Sequence, residues 1–239
     1  TAGISSRAVE GYALGVLYSI PWVRDAKGDL ALDANGFPTP DVTSAPIGDP
    51  NPDWRGGIGI SLRYKNFSIN ALVEHSQGGV VANGTEAVLL DYGTSATTGN
   101  VSTATTDLKR YNGTIIPAGT SFRGNIHNFG AGDVALDQSW YTGPGGFFGN
   151  VGEQFLEDAT WTRFRELNIG YTLNSAKLRK AIGLRSLALE LSGRNLLLFS
   201  NVNGYDPDSN VAGSTSARGV VYFVNPPTRS YLFTLKLNF

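Results

Sequence analysis

The sequence predicts an all-β chain, an antiparallel up-and-down sheet of the kind that crosses a membrane as a segment of a β-barrel, with long loops. Three observations predict it. Six stretches alternate large apolar residues with small or polar ones, the charges in those stretches fall opposite the apolar face, and the connections alternate between long and short. Composition agrees, because 30 Gly with abundant Ser, Thr and Asn suit strands and loops better than helices.

The first strand is expected over 9–20, where Tyr12, Leu14, Val16, Tyr18 and Ile20 alternate with Gly11, Ala13, Gly15, Leu17 and Ser19. The second, over 54–64, sets Ile58, Ile60, Leu62 and Tyr64 against Arg55, Gly57, Gly59, Ser61 and Arg63. Lys65-Asn66 reads as a tight hairpin turn into the third strand, 67–77, with Phe67, Ile69, Ala71 and Val73 against Ser68, Asn70, Leu72 and Glu74. The fourth, 160–173, sets Leu167, Ile169, Tyr171 and Leu173 against Glu166, Asn168, Gly170 and Thr172. The fifth, 185–199, sets Leu187, Leu189 and Leu191 against Ala188, Glu190, Ser192 and Arg194. The sixth, 229–239, carries Tyr231, Phe233, Leu235, Leu237 and Phe239 on one face and Leu232, Thr234, Lys236 and Asn238 on the other. Each suffices for the ~9–11 residues of a tilted transmembrane strand.

Arg55, Arg63, Glu74, Glu190, Arg194 and Lys236 all fall on the faces opposite the apolar ones, which makes them candidates to line a barrel lumen while the apolar faces meet lipid. A soluble sandwich can show the same alternation with its apolar face hidden, so the connections have to decide. They run long over 21–53, two residues at Lys65-Asn66, long over 78–158, short over 174–184 and long again over 200–228. That order matches long extracellular loops and short periplasmic turns on alternate ends, and it puts Phe239 at the periplasmic end. The short connector NSAKLRKAIGL has a helix signal of its own: Ser175 as cap, Leu178 and Ile182 on one side, Gly183 to stop it. Tyr12, Tyr18, Tyr64, Phe67, Tyr171 and Tyr231 sit near strand ends, where an interface girdle places aromatics.

Several chemistries are excluded. There is no Cys for disulfides, thiolate metal sites or a cysteine nucleophile, and His75 and His127 are the only histidines. With 19 basic and 20 acidic residues the chain has no field that would attract nucleic acid. No nucleophile elbow, phosphate loop or dinucleotide fingerprint occurs, so neither an enzyme nor a cofactor site is expected. GYDPDSN begins like a calcium loop but has Val211 where Gly is required and Ala217 where Glu is required, and reads as an Asp-Pro turn. His75 reads as a solvated rim residue. The sequons at Asn83, Asn100 and Asn112 reflect a loop rich in Asn, Gly and Thr. Trp140, Tyr141, Phe147 and Phe148, interleaved with Gly and Pro, either stack on a ligand or partner or form a small core that keeps the 78–158 loop compact. The start, TAGISSRAVEGYALG, has no basic and apolar leader, which suits a mature chain or a piece of a longer one.

IGDPNPDWRGGIGISLRYKNFSI, FRELNIGYTL, LELSGRNLLLFSNVNGYDPD and PPTRSYLFTLKLNF resemble, in order and spacing, the C-terminal barrel of the SusC/RagA family of TonB-linked (TonB-dependent) outer-membrane transporters. The likeness covers most of the chain outside 21–45 and 80–158. It implies about six strands of a 22-stranded barrel with an N-terminal plug that this chain lacks, a SusD-like surface lipoprotein as partner, the TonB system as energy source, and glycan or peptide import in a Bacteroidota-type bacterium. It also implies that Phe239 is the barrel-insertion signal and an anchor at the periplasmic interface. Two other readings are a free-standing small barrel, if 78–158 hides a transmembrane hairpin, and a secreted glycan-binding β-sandwich.

Overall fold

At Lys65 the backbone takes a left-handed φ of 51° and the chain reverses within two residues. Trp54–Tyr64 (β1) and Phe67–Gln77 (β2) therefore pair antiparallel, from Trp54↔Gln77 to Tyr64↔Phe67. Trp161–Asn174 (β3) pairs with β2, Ser186–Ser200 (β4) with β3, and Ser230–Asn238 (β5) with β4, all antiparallel. The computed structural model describes residues 3–211 and 218–239, with the backbone alone at Lys177 and Leu178.

Spatial order in this five-stranded sheet equals chain order, so it is an up-and-down meander. A short helix, Ala176–Ile182, joins β3 to β4 and ends at Gly183, whose φ of 73° a side chain would resist. Ser175 occupies the N-cap position of that helix but its side chain makes no capping bond, contrary to the expectation from sequence. The side chain of Leu178 lies outside the described residues.

Register carries the apolar face across every strand. Ile60, Ala71 and Leu167 stand side by side, as do Leu62, Ile69, Ile169, Leu191 and Phe233. Tyr64, Phe67, Tyr171, Leu189 and Leu235 form the next row, with the Phe67 and Tyr171 ring centroids 4.7 Å apart. These side chains are open on their outer side: Ile58, Leu62 and Phe233 are 72%, 61% and 66% exposed.

The strand expected over 9–20 does not join this sheet. Gly11 and Gly15 both take φ of 83° and turns close at Tyr12 and Val16, so only Val16–Ser19 is extended. Its neighbours Val16 and Leu17 are both buried, which strict alternation forbids, and it pairs with Ser5–Arg7 and Ala45–Gly48. It belongs to a second unit, made of the described residues up to Asn51, of Gly79–Asp158 and of Asp208–Val224. That unit assembles strands of two to four residues around buried apolar clusters, one of them centred on Trp22, Phe37, Val134, Trp140 and Val151. Its helices start on side-chain caps, Asn83 accepting from the Glu86 N–H at 3.0 Å and Asp137 from the Ser139 N–H at 2.9 Å.

Candidate functional site

The face of the sheet opposite the apolar rows gathers the charges. Pairing puts Arg63 beside Ser68, Gly57 beside Glu74, Glu190 beside Thr234, Arg194 beside Ser230 and Arg55 beside Ser76. Lys236 Nζ donates to Glu190 Oε2 at 3.1 Å, which fixes both on that face. All six charged residues singled out from the sequence thus share one face. Arg63 and Arg194 are exposed on it.

The most constrained part of this face was not read from the sequence. The ladder of β3 shifts between Phe164 and Glu166, so Arg165 is an extra residue and Arg163 and Glu166 both turn to the polar side. Arg165 Nε donates to Glu74 Oε2 at 2.7 Å, and its second nitrogen closes a fork on the same oxygen. Arg163 pairs with Asp206 of the G-Y-D-P stretch, and their side chains are only 2% and 8% exposed. Trp161 lies among them, its ring 4.8 Å from the Arg55 guanidinium carbon, 5.2 Å from that of Arg163 and 5.9 Å from that of Arg165. The calcium-like start of GYDPDSN is therefore an ion-pair anchor: Asp206 holds the loop after β4 to β3. Ala217, the last position of that pattern, lies outside the described residues. His75 is half-buried, Nδ1 2.8 Å from Thr162 Oγ1 and its ring 4.9 Å from Trp54, so it is packed rather than freely solvated. A break in alternation, Trp-Thr-Arg-Phe-Arg, was the signal available for the bulge.

In the other unit the loop aromatics divide. Trp140 and Tyr141 are core: Trp140 packs against Trp22 and Phe37 at 6.0 and 5.4 Å, and both side chains are buried. Of the two readings of the loop aromatics, Trp140 and Tyr141 follow the small core. Burial pushes the Tyr141 phenol up from its ordinary value, against the hydrogen bond from Asn125 that favours the ionised form. Phe148 is 62% exposed and Phe147 half-buried, so these two remain open to a ligand. Phe239 follows β5 and is 73% exposed. Among the described residues no group of three metal-ligating side chains comes together.

No protein-family model matches the sequence. The chain is 27% identical over 223 residues to TonB-dependent receptor P3 of Formosa agariphila, a match covering 90% of this chain and 19% of that protein. Its fold matches a structure of the RagAB peptide importer in the "closed-closed" state with a TM-score of 0.52 and 17% identity, over 98% of this chain and 25% of that one. The "open-open" state of the same importer matches with a TM-score of 0.52 and 14% identity, over 99% and 24%. The chain is thus similar in sequence to a TonB-dependent receptor and in fold to the RagAB importer, and it spans about a fifth to a quarter of the length of these proteins.

Proposed function

We propose that this chain is part of an active importer of the bacterial outer membrane, its five-stranded sheet forming a segment of the transmembrane wall. One observation carries the reading: a continuous apolar face, open across all five strands, backed by a face that holds the charges. In lipid such a face costs nothing to expose, whereas backbone groups at an open edge do, so β1 and β5 pair with further strands of a closed barrel. A 22-stranded size class suits a wall that also encloses a plug. Arg55, Arg63, Glu74, Glu190, Arg194 and Lys236 then face the lumen or plug, and Phe239 anchors the strand end at the membrane interface. The 78–158 segment is extracellular and meets a SusD-like lipoprotein, with the TonB system supplying energy through the plug.

The chain works by binding and transport rather than by catalysis. The cargo is a glycan or a peptide, and the likeness to a peptide importer keeps the second open. Against a transmembrane hairpin hidden in 78–158, strands there reach at most four residues, far below the ~9–11 of a spanning strand. Against a water-soluble sandwich, the exposed face is apolar across its central rows, with His75, Gln77 and Thr162 only at its rim. Heat-modifiability on a detergent gel tests the reading with the full-length transporter: a barrel migrates faster unheated, and identical migration with and without heating overturns it.

A further inference from the structure

Charge is not spread evenly along the five-stranded sheet. The Lys65-Asn66 turn and the helix Ala176–Ile182 reverse the chain at the same end, where the Thr172 N–H donates to the Asn66 carbonyl at 2.8 Å. The strand halves that meet these turns, taken with the turns themselves, cover 58–72, 167–189 and 231–239, and they carry Lys and Arg but no Asp or Glu. The next carboxylate along β4, Glu190, is taken by Lys236 at 3.1 Å. Lys65, Arg179, Lys180 and Arg185 are exposed, and among the described residues none of them has an acidic partner. A helix C-terminus favours cations in its last turn, which accounts for Arg179 and Lys180 but not for Lys65 or Arg185.

These cations stand at the rim of the apolar face. Lys65 Nζ lies 5.2 Å from the ring centroid of Tyr64, a member of that face. Arg185 is tied to the end of β5 by its backbone N–H, which donates to the Asn238 carbonyl at 2.7 Å. The last apolar row, Leu173, Leu187 and Leu237, lies just inside. Ile182 on the helix and Phe239 after β5 are 61% and 73% exposed, so apolar surface and unpaired charge meet along one edge.

A soluble anion fits only half of this edge. An acidic protein or a free phosphate would match the cations and leave Ile182, Leu237 and Phe239 open. An uncharged lipid would match the row and leave the cations without a counter-charge. We infer that this end of the sheet binds anionic phospholipid, its phosphate heads gathered by Arg179, Lys180, Arg185 and Lys65 and its acyl chains laid against Leu173, Leu187 and Leu237. Guanidinium groups offer paired N–H donors to phosphate oxygens, and long basic side chains reach from an apolar edge to a polar head group. A cation near an anionic surface strengthens binding roughly fivefold. The inference rests on the importer reading, which supplies the lipid along the apolar face.

The test uses the full-length transporter in detergent, titrated with dioleoyl phosphatidylglycerol or dioleoyl phosphatidylcholine and read by native mass spectrometry at two ammonium acetate concentrations. The first phosphatidylglycerol should bind about tenfold more tightly than phosphatidylcholine, and higher salt should narrow the gap. Arg185→Gln should weaken phosphatidylglycerol about fivefold, whereas Arg185→Lys should keep it. The combined change Arg179→Gln, Lys180→Gln and Arg185→Gln should bring it to the level of phosphatidylcholine. Arg229→Gln, exposed at the other end of the sheet, should alter nothing. Should the combined variant not assemble, Arg185→Gln alone decides. Equal retention of the two lipids, a preference that survives these changes, or full displacement by an equal concentration of glycerol 3-phosphate, which has the head but no chains, would each overturn the inference. Heated and unheated gels keep the two failures apart: a heat-modifiable barrel without lipid preference sinks this inference alone, and an unaltered protein that shows no heat-modifiability sinks the importer reading.

Discussion

The two units of this chain bury opposite things. In the loop-built unit Leu17, Phe37 and Leu108 are 0% exposed, and charges stay near the surface. In the sheet Ile58 is 72% and Phe233 66% exposed, while Arg163 is 2% exposed. Burying a large apolar side chain is worth about 1.5–3 kcal/mol in water. A sheet that leaves a whole face of them open cannot take its stability from water-driven burial. The difference is the one expected if the units are built for different solvents, one for water and, under the importer reading, one for an apolar medium on one side and water or protein on the other.

The largest expected effect breaks that inverted burial at its most enclosed point. Asp206→Ala leaves the Arg163 guanidinium buried without its counter-charge, and such a loss costs about 3–5 kcal/mol. Thermal unfolding of the full-length transporter should show a clear loss of stability and faster proteolysis of the loop after β4. The double change Arg163→Met with Asp206→Leu should recover much of it, since replacing both partners removes the unpaired charge. If the single and double variants are equally unstable, the ion pair is not what holds the loop.

Next comes the apolar face. Leu189 stands in the row with Tyr171 and Leu235; under the importer reading that row faces lipid, where Arg or Lys at the midplane costs about 2–4 kcal/mol. Leu189→Arg should reduce the inserted, heat-modifiable protein, whereas Glu190→Gln on the opposite face should not. Equal yields from both would erase the contrast between the faces.

These contrasts show what was legible in the sequence. The faces of β1, β2, β4 and β5 could be read because a sheet with one apolar side writes itself as period-two alternation. The segment 9–20 carries the same alternation, yet Gly11 and Gly15 turn the backbone away from an extended path, and tertiary burial of Val16 and Leu17 side by side then takes over. Arg163 and Arg165 were hidden by the bulge, which shifts by one every residue beyond it. The loop-built unit was legible only as turn chemistry. Its strands are too short to show a period, and its core comes from residues far apart in the chain, such as Trp22 with Trp140. Phe147 and Phe148 stood out in the sequence as loop aromatics, whereas only folding brings Tyr92 and Tyr222 beside them.

A smaller effect is expected where the polar face meets solvent. The Lys236–Glu190 pair has side chains 62% and 38% exposed, and pairs of that kind contribute about 0–1 kcal/mol. Lys236→Ala should leave unfolding nearly unchanged in detergent at moderate salt. A loss as large as that from Asp206→Ala would mean that Lys236 is enclosed in the assembled transporter, and would sharpen the map of the lumen.

The smallest effect tests the water-built unit through pH. One oxygen of Asp91 is buried without a hydrogen-bond partner, and desolvation raises the carboxyl above its ordinary value of 3.8, only partly offset by the Phe148 N–H. A carboxyl raised in the folded state binds its proton more tightly there than in the unfolded chain. Its contribution is therefore fully present below the unfolded value and is lost as pH rises through the folded one. Asp91 closes the helix Gly84–Asp91 and holds the backbone of Phe148, so the loss should be local. Hydrogen exchange of that helix and of the segment around Phe148 should quicken as pH rises across the carboxylate range, after correction for the intrinsic rate. Asp91→Asn, which cannot ionise, should remove that slope and protect the helix slightly at neutral pH, while the sheet strands show no change. Protection that instead grows with pH at Asp91 would mean that its ionised form is the one the fold prefers, and that the carboxylate has a counter-charge beyond the Phe148 N–H.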